Sequence, residues 1–249
     1  MRQALLPATL PATLIAALAL VPAACSREAS GGGTAVETPA NPADWAGLKG
    51  FTAVEVTGPD NVIVTRGDFA VTVEGDRKAI DRLEIKQDGE TLEIGRKKRL
   101  GMSWSEDKGA TIRVSLPAIR SVEATGSGDI SVDRADGGPF EAELTGSGNL
   151  SIAAASVAAL KAELTGSGDM TIAGTAQSID LSLTGSGNFD GGGLQAGGGE
   201  VSLLGSGDAG FASDGAVDIS ILGSGNVSVK GKAQCKKNIM GSGEARCAP

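Results

Sequence analysis

The segment from Thr145 to Asp169 reads TGSGNLSIAAASVAALKAELTGSGD and contains one full period of a repeat that fills the second half of the chain. The tripeptide Gly-Ser-Gly recurs with spacings of 18 to 20 residues, at Gly126, Gly146, Gly166, Gly185, Gly205, Gly223 and Gly241. Flexible Gly-Ser linkers also contain this tripeptide, but they lack the apolar alternation that flanks each copy here. The repeat therefore indicates folded structure.

Each period predicts two short strands with one apolar face. Leu160, Ala162 and Leu164 share one parity before a tripeptide, and Met170 and Ile172 share one parity after it. Two short strands cannot bury that face alone, whereas stacked repeats form a continuous core. We therefore predict an all-β fold, a parallel β-helix with coils of about 20 residues. An antiparallel meander, with each Gly-Ser-Gly closing a hairpin, is the alternative.

The glycines of the tripeptides are predicted to form a turn column at one corner of the coils. Both glycines of a turn are expected to take positive φ, and the absence of side chains lets successive corners stack without clashes. The predicted turn column comprises Gly126, Gly128, Gly146, Gly148, Gly166, Gly168, Gly185, Gly187, Gly205, Gly207, Gly223 and Gly225.

The residue after each tripeptide alternates between a carboxylate and an amide. This predicted column comprises Asp129, Asn149, Asp169, Asn188, Asp208, Asn226 and Glu244. If coils stack at about 4.8 Å, alternation separates the carboxylates by roughly 9.6 Å and places an amide donor between them. The order favours parallel, in-register stacking over the meander.

Residues 1–24 have the layout of a secretory signal peptide, with Arg2 followed by an apolar stretch and then by small residues. The apolar stretch is shorter than the roughly 20 residues that a membrane-spanning helix needs. The segment from Val21 to Cys25 resembles the lipobox of bacterial lipoproteins, except that Pro22 stands where leucine is usual. That resemblance implies a lipid on Cys25; an ordinary secretory signal with a free Cys25 is the alternative.

The chain has three cysteines, and lipidation of Cys25 leaves two of them for a disulfide between Cys235 and Cys247. Ser26 follows Cys25 in place of the aspartate that retains many lipoproteins at the inner membrane, which favours the outer membrane. Residues 25–47 are therefore interpreted as a lipidated cysteine followed by a flexible tether, rich in Ala, Gly, Ser and Pro.

Composition restricts the functions that the chain can have. A net charge of −8 argues against nucleic acid as a partner, because phosphate binding needs clustered Lys and Arg. The chain has no histidine, which removes the histidine-dependent catalytic constellations and metal sites. We predict no catalytic residues, no metal and no cofactor. The basic run from Arg96 to Arg99 is interpreted as a solvated loop, with contact to anionic lipid headgroups as the alternative.

Several segments resemble the putative auto-transporter adhesin family with a head GIN domain. They are the opening Phe51-Thr-Ala-Val-Glu-Val-Thr-Gly, the Gly89-Glu-Thr-Leu-Glu-Ile strand, Val114-Ser-Leu-Pro117 and the TGSGD/N repeats. The resemblance implies a right-handed parallel β-helix, a role in cell adhesion and no assigned catalytic site.

We therefore divide the chain into a signal peptide (1–24), a lipidated cysteine and tether (25–47), irregular N-terminal coils or a cap (48–120) and the repeat solenoid (121–249). A short helix is expected within residues 76–82. The predicted function is a noncatalytic, exported scaffold of the cell envelope: a monomer, attached to the membrane by its lipid, that binds a surface protein or glycan. A polysaccharide lyase or glycosidase, using carboxylates such as Asp129 and Asp169, and a structural envelope protein are the alternatives.

Overall fold

The computed structural model describes residues 45–97 and 109–248, which form eighteen strands and one four-residue helix. The helix α1 is Arg77–Ile80. The strands are β1 (Ala53–Gly58), β2 (Asn61–Arg66), β3 (Ala70–Glu74), β4 (Leu83–Asp88), β5 (Thr91–Arg96), β6 (Thr111–Leu116), β7 (Ser121–Gly126), β8 (Ile130–Val132), β9 (Ala135–Gly146), β10 (Leu150–Gly166), β11 (Met170–Gly185), β12 (Phe189–Ala196), β13 (Gly199–Gly205), β14 (Ala209–Ser213), β15 (Ala216–Gly223), β16 (Asn226–Lys230), β17 (Gln234–Gly241) and β18 (Glu244–Ala248). The predicted signal peptide (1–24), Cys25 and most of the predicted tether lie outside the described residues.

The repeats stack as parallel coils in register. Strands before the glycine corner stack in the order β5, β1, β7, β9, β10, β11, β13, β15 and β17. Strands after the corner stack in the order β6, β2, β8, β10, β11, β12, β14, β16 and β18. The solenoid prediction is confirmed, and the meander alternative is wrong for the repeats.

Each repeat coil has three sides. In β10, the segment from Leu150 to Ile152 forms the side after the corner, the segment from Ala155 to Val157 forms a third side, and residues 159–166 lead to the next corner. Coils of different length are accommodated between the side after the corner and the third side, where the register shifts. The third side carries a groove.

Apolar columns along the axis form the core. Five residues before the corner lie directly above one another and are each 1% exposed: Leu144, Leu164, Leu183, Leu203 and Ile221. Burying one such side chain contributes about 1.5–3 kcal/mol. Because each apolar side chain packs on the equivalent side chain of the next coil, the same alternation of apolar and polar residues buries the core in every coil.

Antiparallel strands close the N-terminal end of the stack. The coil formed by β1 and β2 lies between the β5–β6 level and the β7–β8 level. On the outer side of the β5–β6 level, β4 pairs antiparallel with β5, and β3 pairs antiparallel with β6. The helix α1 joins β3 to β4 and begins after Asp76, whose side chain accepts a hydrogen bond from the Lys78 backbone N–H at 2.9 Å. The helix therefore lies within the predicted range.

A buried ion pair lies at the first corner of this end. The Arg96 guanidinium donates to both carboxylate oxygens of Asp60 at 2.7 Å, and the Ala110 backbone N–H donates to Asp60 Oδ1 at 2.7 Å. The Arg96 side chain is only 4% exposed, so the prediction of a solvated loop is wrong for this residue. The hydrogen bond to Asp60 raises the pKa of Arg96. Because the carboxylate is buried, the paired cation and the N–H donor are what make its charge tolerable there.

Cys235 and Cys247 form a disulfide with a Cα–Cα distance of 6.5 Å. The bond joins β17 to β18 and closes the last level of the solenoid. Among residues 45–97 and 109–248, no helix has the length and apolar character needed to cross a bilayer.

Both glycines of each corner lie too close to the preceding coil to carry a side chain, and the first also has a backbone conformation that favours glycine. The first glycine has a φ between 125° and 140° in all seven tripeptides, a conformation that side chains disfavour. The second glycine does not have positive φ, so that part of the prediction is wrong. It is required because a Cβ on Gly148 would clash with the carbonyl oxygen of Gly128 in the preceding coil.

We predict that Gly148→Ala lowers the free energy of unfolding by about 1–3 kcal/mol, the range of overpacking in a rigid structure. Urea denaturation followed by circular dichroism measures the change. Gly138→Ala is the matched control, because a Cβ at Gly138 would meet no atom within 4 Å. Equal stability of the two variants would contradict the close-approach explanation.

Candidate functional site

The carboxylate and amide side chains after the corners form a continuous hydrogen-bonded ladder. Asn149 donates to Asp129 Oδ1 through both its side-chain Nδ2, at 2.8 Å, and its backbone N–H, at 3.0 Å. The Asp169 backbone N–H donates to Asn149 Oδ1 at 3.3 Å. The same pattern continues through Asn188, Asp208, Asn226 and Glu244. Each amide therefore lies between two carboxylates, as the alternation predicts.

The ladder begins one coil earlier than the sequence predicts. The Asp129 backbone N–H donates to Asn61 Oδ1 at 2.9 Å, and Gly58 lies opposite Gly126. The segment from Thr57 to Asn61 reads TGPDN, so it contains no Gly-Ser-Gly to reveal it. Its Thr-Gly start and its amide at the fifth position are the signals that match the repeats.

A second column, of glutamates, lies on the outer face of the strands before the corner. Glu93, Glu55, Glu123, Glu143 and Glu163 occupy matching positions in five consecutive strands. Like charges thus do stack in this fold, although the separation seen at the corner suggested that they would be kept apart. These side chains are longer than those of the ladder, which gives their carboxylates more freedom to diverge.

Lysines compensate the glutamate column at its two ends. Lys86 pairs with Glu93 at 2.8 Å, and Lys161 pairs with Glu163 at 2.8 Å and with Glu141 at 2.6 Å. In the middle of the column, the pKa of Glu123 is raised. Partial burial is the larger cause, and repulsion from Glu143, Glu55 and Glu141 adds to it. Within the part of the chain that the structure describes, no group of acidic, His or Cys side chains is arranged to hold a metal ion.

An open groove with a volume of about 530 Å³ runs across the third side of the coils. It extends from Gly137 in one coil to Asp214 four coils later. Ser156, Thr175 and Gln195 lie opposite one another in successive coils and form one polar row along it. At a strand spacing of about 4.8 Å, the groove is roughly 19 Å long.

The groove is polar but nearly uncharged. Hydroxyl and amide groups line it beside a floor of small apolar residues such as Val157 and Ala176, which are 6% and 5% exposed. Asp214 is the one ionisable residue among its lining residues. Ser156 and Thr175 are the hydroxyl side chains of the lining, which contains no histidine or lysine to act as their base. The arrangement suits hydrogen bonding to an extended, neutral chain.

The structure separates the predicted columns from the groove. The corner glycines and the ladder lie together at one corner, whereas none of them lines the groove. The recurrence of Ser156, Thr175 and Gln195 at repeat-equivalent positions is the sequence signal that could have identified the groove.

Comparison with known proteins gives a family and a fold. Residues 50–233 match the family described as putative auto-transporter adhesin, head GIN domain. No curated protein matches the chain.

The fold resembles that of several solved crystal structures, and two of them illustrate the likeness. One is of a putative adhesin from Bacteroides fragilis, with 22% identity and a TM-score of 0.73 over 81% of this chain and 93% of the other. The second is of a putative lipid binding protein from Parabacteroides distasonis, with 20% identity and a TM-score of 0.62 over 81% of this chain and 94% of the other.

The glutamate column predicts a pH-dependent stability. The pKa of Glu123 is raised in the folded state, so folding is disfavoured once pH rises above the unfolded pKa, and the cost is complete above the folded pKa. We expect Glu123→Gln to raise the melting temperature at neutral pH and to have no effect near about pH 3, where the carboxyl is protonated in both states.

Glu163→Gln is the control, because Glu163 pairs with Lys161 and its neutralisation removes an attraction. Thermal melts of both variants at the two pH values measure the effect. A rise of equal size for the two variants, or one that persists at acidic pH, would disprove the repulsion.

Proposed function

Because the chain belongs to the family of putative auto-transporter adhesins with a head GIN domain, we propose that it is a noncatalytic, adhesin-like binding scaffold of the cell envelope. The groove from Gly137 to Asp214 is the observation that carries this proposal. A stack of equivalent coils repeats one hydroxyl or amide group at each level, which suits a ligand with a repeating structure. The ligand that we propose is a neutral stretch of a surface glycan.

The side chains of the groove favour a glycan over a protein partner. Protein interfaces are enriched in Tyr, Trp, Phe, Met and Arg, and their energetic centres are large buried side chains. The lining residues include none of these types. Ser156, Thr175 and Gln195 offer donors and acceptors that match sugar hydroxyls instead.

The hydrogen bonds of the corner carboxylates favour glycan binding over glycan cleavage. The Oδ1 atoms of Asp129 and Asp169 each accept two hydrogen bonds, from Asn149 and Asn188 respectively. A glycosidase uses one carboxyl as its proton donor to the substrate, whereas these oxygens are occupied by hydrogen bonds from the next coil. These contacts support a structural role for both residues.

Envelope attachment through Cys25 completes the proposal. The tether of roughly 22 residues would hold the folded part on the order of 25 Å from the lipid. Mass spectrometry of the N-terminal peptide from membrane-extracted protein should show a diacylglyceryl group on Cys25. An unmodified Cys25, or a mature N-terminus elsewhere, would exclude the anchor without affecting the groove.

We predict that Thr175→Arg, which places a long cation in the groove, weakens glycan binding about tenfold or more, corresponding to one or two lost hydrogen bonds. Glycan-array screening of the whole protein identifies ligands, and calorimetry measures their affinities. Thr171→Arg is the matched control, because Thr171 is an exposed threonine of the same strand outside the groove.

Loss of affinity in the Thr175 variant alone would support the groove as the glycan site. Equal affinities of the two variants, or no bound glycan on the array, would refute it. Turnover of a polysaccharide by the purified protein would favour the carbohydrate-active alternative.

A further inference from the structure

Exposed apolar side chains gather at the C-terminal end of the solenoid. Among the described residues, the exposed large hydrophobic side chains are Leu204 (47%), Leu222 (49%), Ile239 (38%) and Met240 (59%). Leu204, Leu222 and Met240 lie opposite one another in β13, β15 and β17. The same outward position is threonine in the four preceding coils, at Thr125, Thr145, Thr165 and Thr184. The column therefore changes from polar to apolar in the last three coils.

The last level also leaves the end of the core open. No strand within residues 45–97 and 109–248 pairs with the outer edge of β17 or β18. Ile239 continues the buried column of Ile221, yet it is 38% exposed, since none of the described strands lies beyond it. The N-terminal end differs, since antiparallel strands complete its sheets.

Cationic residues are concentrated in the last coil, from the end of β16 to β18. In an acidic chain with a net charge of −8, residues 230–248 contain Lys230, Lys232, Lys236, Lys237 and Arg246 and a single carboxylate. That carboxylate, Glu244, pairs with Arg246 at 2.8 Å, and the pair lowers the pKa of Glu244. The Lys236 side chain is 88% exposed and lies 3.7 Å from Asp218. Positive charge is therefore concentrated at one end of the molecule.

We propose that the C-terminal end docks on an anionic lipid surface. Leu222, Met240 and Ile239 would enter the interfacial region, and the surrounding lysines would meet lipid phosphates. Exposed apolar residues beside Lys and Arg are the features by which peripheral proteins bind anionic membranes. This surface is separate from the groove, so the proposal does not depend on glycan binding.

Charge argues against a second copy of the chain as the occupant. Lysines on an edge strand hinder its pairing with another sheet, and two such ends would repel each other. Protection of the edge alone does not explain the end either, because it would be served by lysines without four exposed apolar side chains. An anionic surface with an apolar interior matches both features.

Vesicle co-sedimentation tests the proposal on the full chain carrying Cys25→Ala, which excludes anchoring by a lipid on that residue. The vesicles are phosphatidylcholine with or without phosphatidylglycerol. We expect binding to the anionic vesicles alone, and we expect it to weaken as salt concentration rises. Every variant carries the same N-terminal segment before the solenoid, so any affinity of that segment is common to all.

Two variants of the end are compared with one at the opposite end. Lys232→Gln/Lys236→Gln should weaken binding about fivefold for each lysine removed. Leu222→Ser/Met240→Ser should weaken it at least as much, and exposure of both side chains keeps the cost to folding small. Arg77→Gln/Lys78→Gln removes the same charge from α1 and should leave binding unchanged.

Equal binding to neutral and anionic vesicles, or equal loss in the end variants and the α1 control, would overturn the proposal. Size-exclusion chromatography adds a second criterion. A dimer that Leu222→Ser/Met240→Ser dissociates would assign this end to a second copy of the chain. An acidic peptide that binds the end while anionic vesicles do not would assign it to a protein partner.

Discussion

The close approach of successive corners is the constraint on which the rest of this structure depends. Parallel coils at strand spacing bring the backbone of one corner against the next, and a side chain at Gly148 or its equivalents would collide with the carbonyl oxygen in the coil before it. With glycine there, the corners align and equivalent residues of all coils fall into columns. The core, the ladder and the groove are all consequences of that alignment.

Because coils stack in register, a side chain at one position is repeated at the same position of the neighbouring coils. At the corner, alternation of aspartate with asparagine turns repulsion into a hydrogen-bonded ladder from Asn61 to Glu244. On the outer face, five glutamates occupy equivalent positions in neighbouring strands, and the pKa of the central one, Glu123, is raised. On the third side, Ser156, Thr175 and Gln195 coincide and make a polar row. Binding surfaces in such a molecule therefore arise by repetition of modest groups, whereas an enzyme site needs a unique constellation.

The two ends of the solenoid differ in how the outer edges of their terminal strands are covered. At the N-terminal end, antiparallel strands and the buried Asp60–Arg96 pair complete the last levels. At the C-terminal end, the disulfide fastens β18 to β17, but the apolar column emerges at Ile239 among lysines. A fold with two dissimilar ends and a grooved side can contact more than one partner at once, which suits a scaffold in the cell envelope.

The sequence by itself determined the coil: its period, its apolar alternation, its glycine corner and the order of carboxylates and amides, because these depend on contacts between equivalent positions. It also indicated the helix near Asp76 and the pairing of Cys235 with Cys247. Only the tertiary structure placed β1 between β5 and β7, paired Asp60 with Arg96, and brought Ser156, Thr175 and Gln195 into one groove. Those contacts depend on the order in which coils stack and on where each coil absorbs a difference in length, and neither is written in the repeat itself.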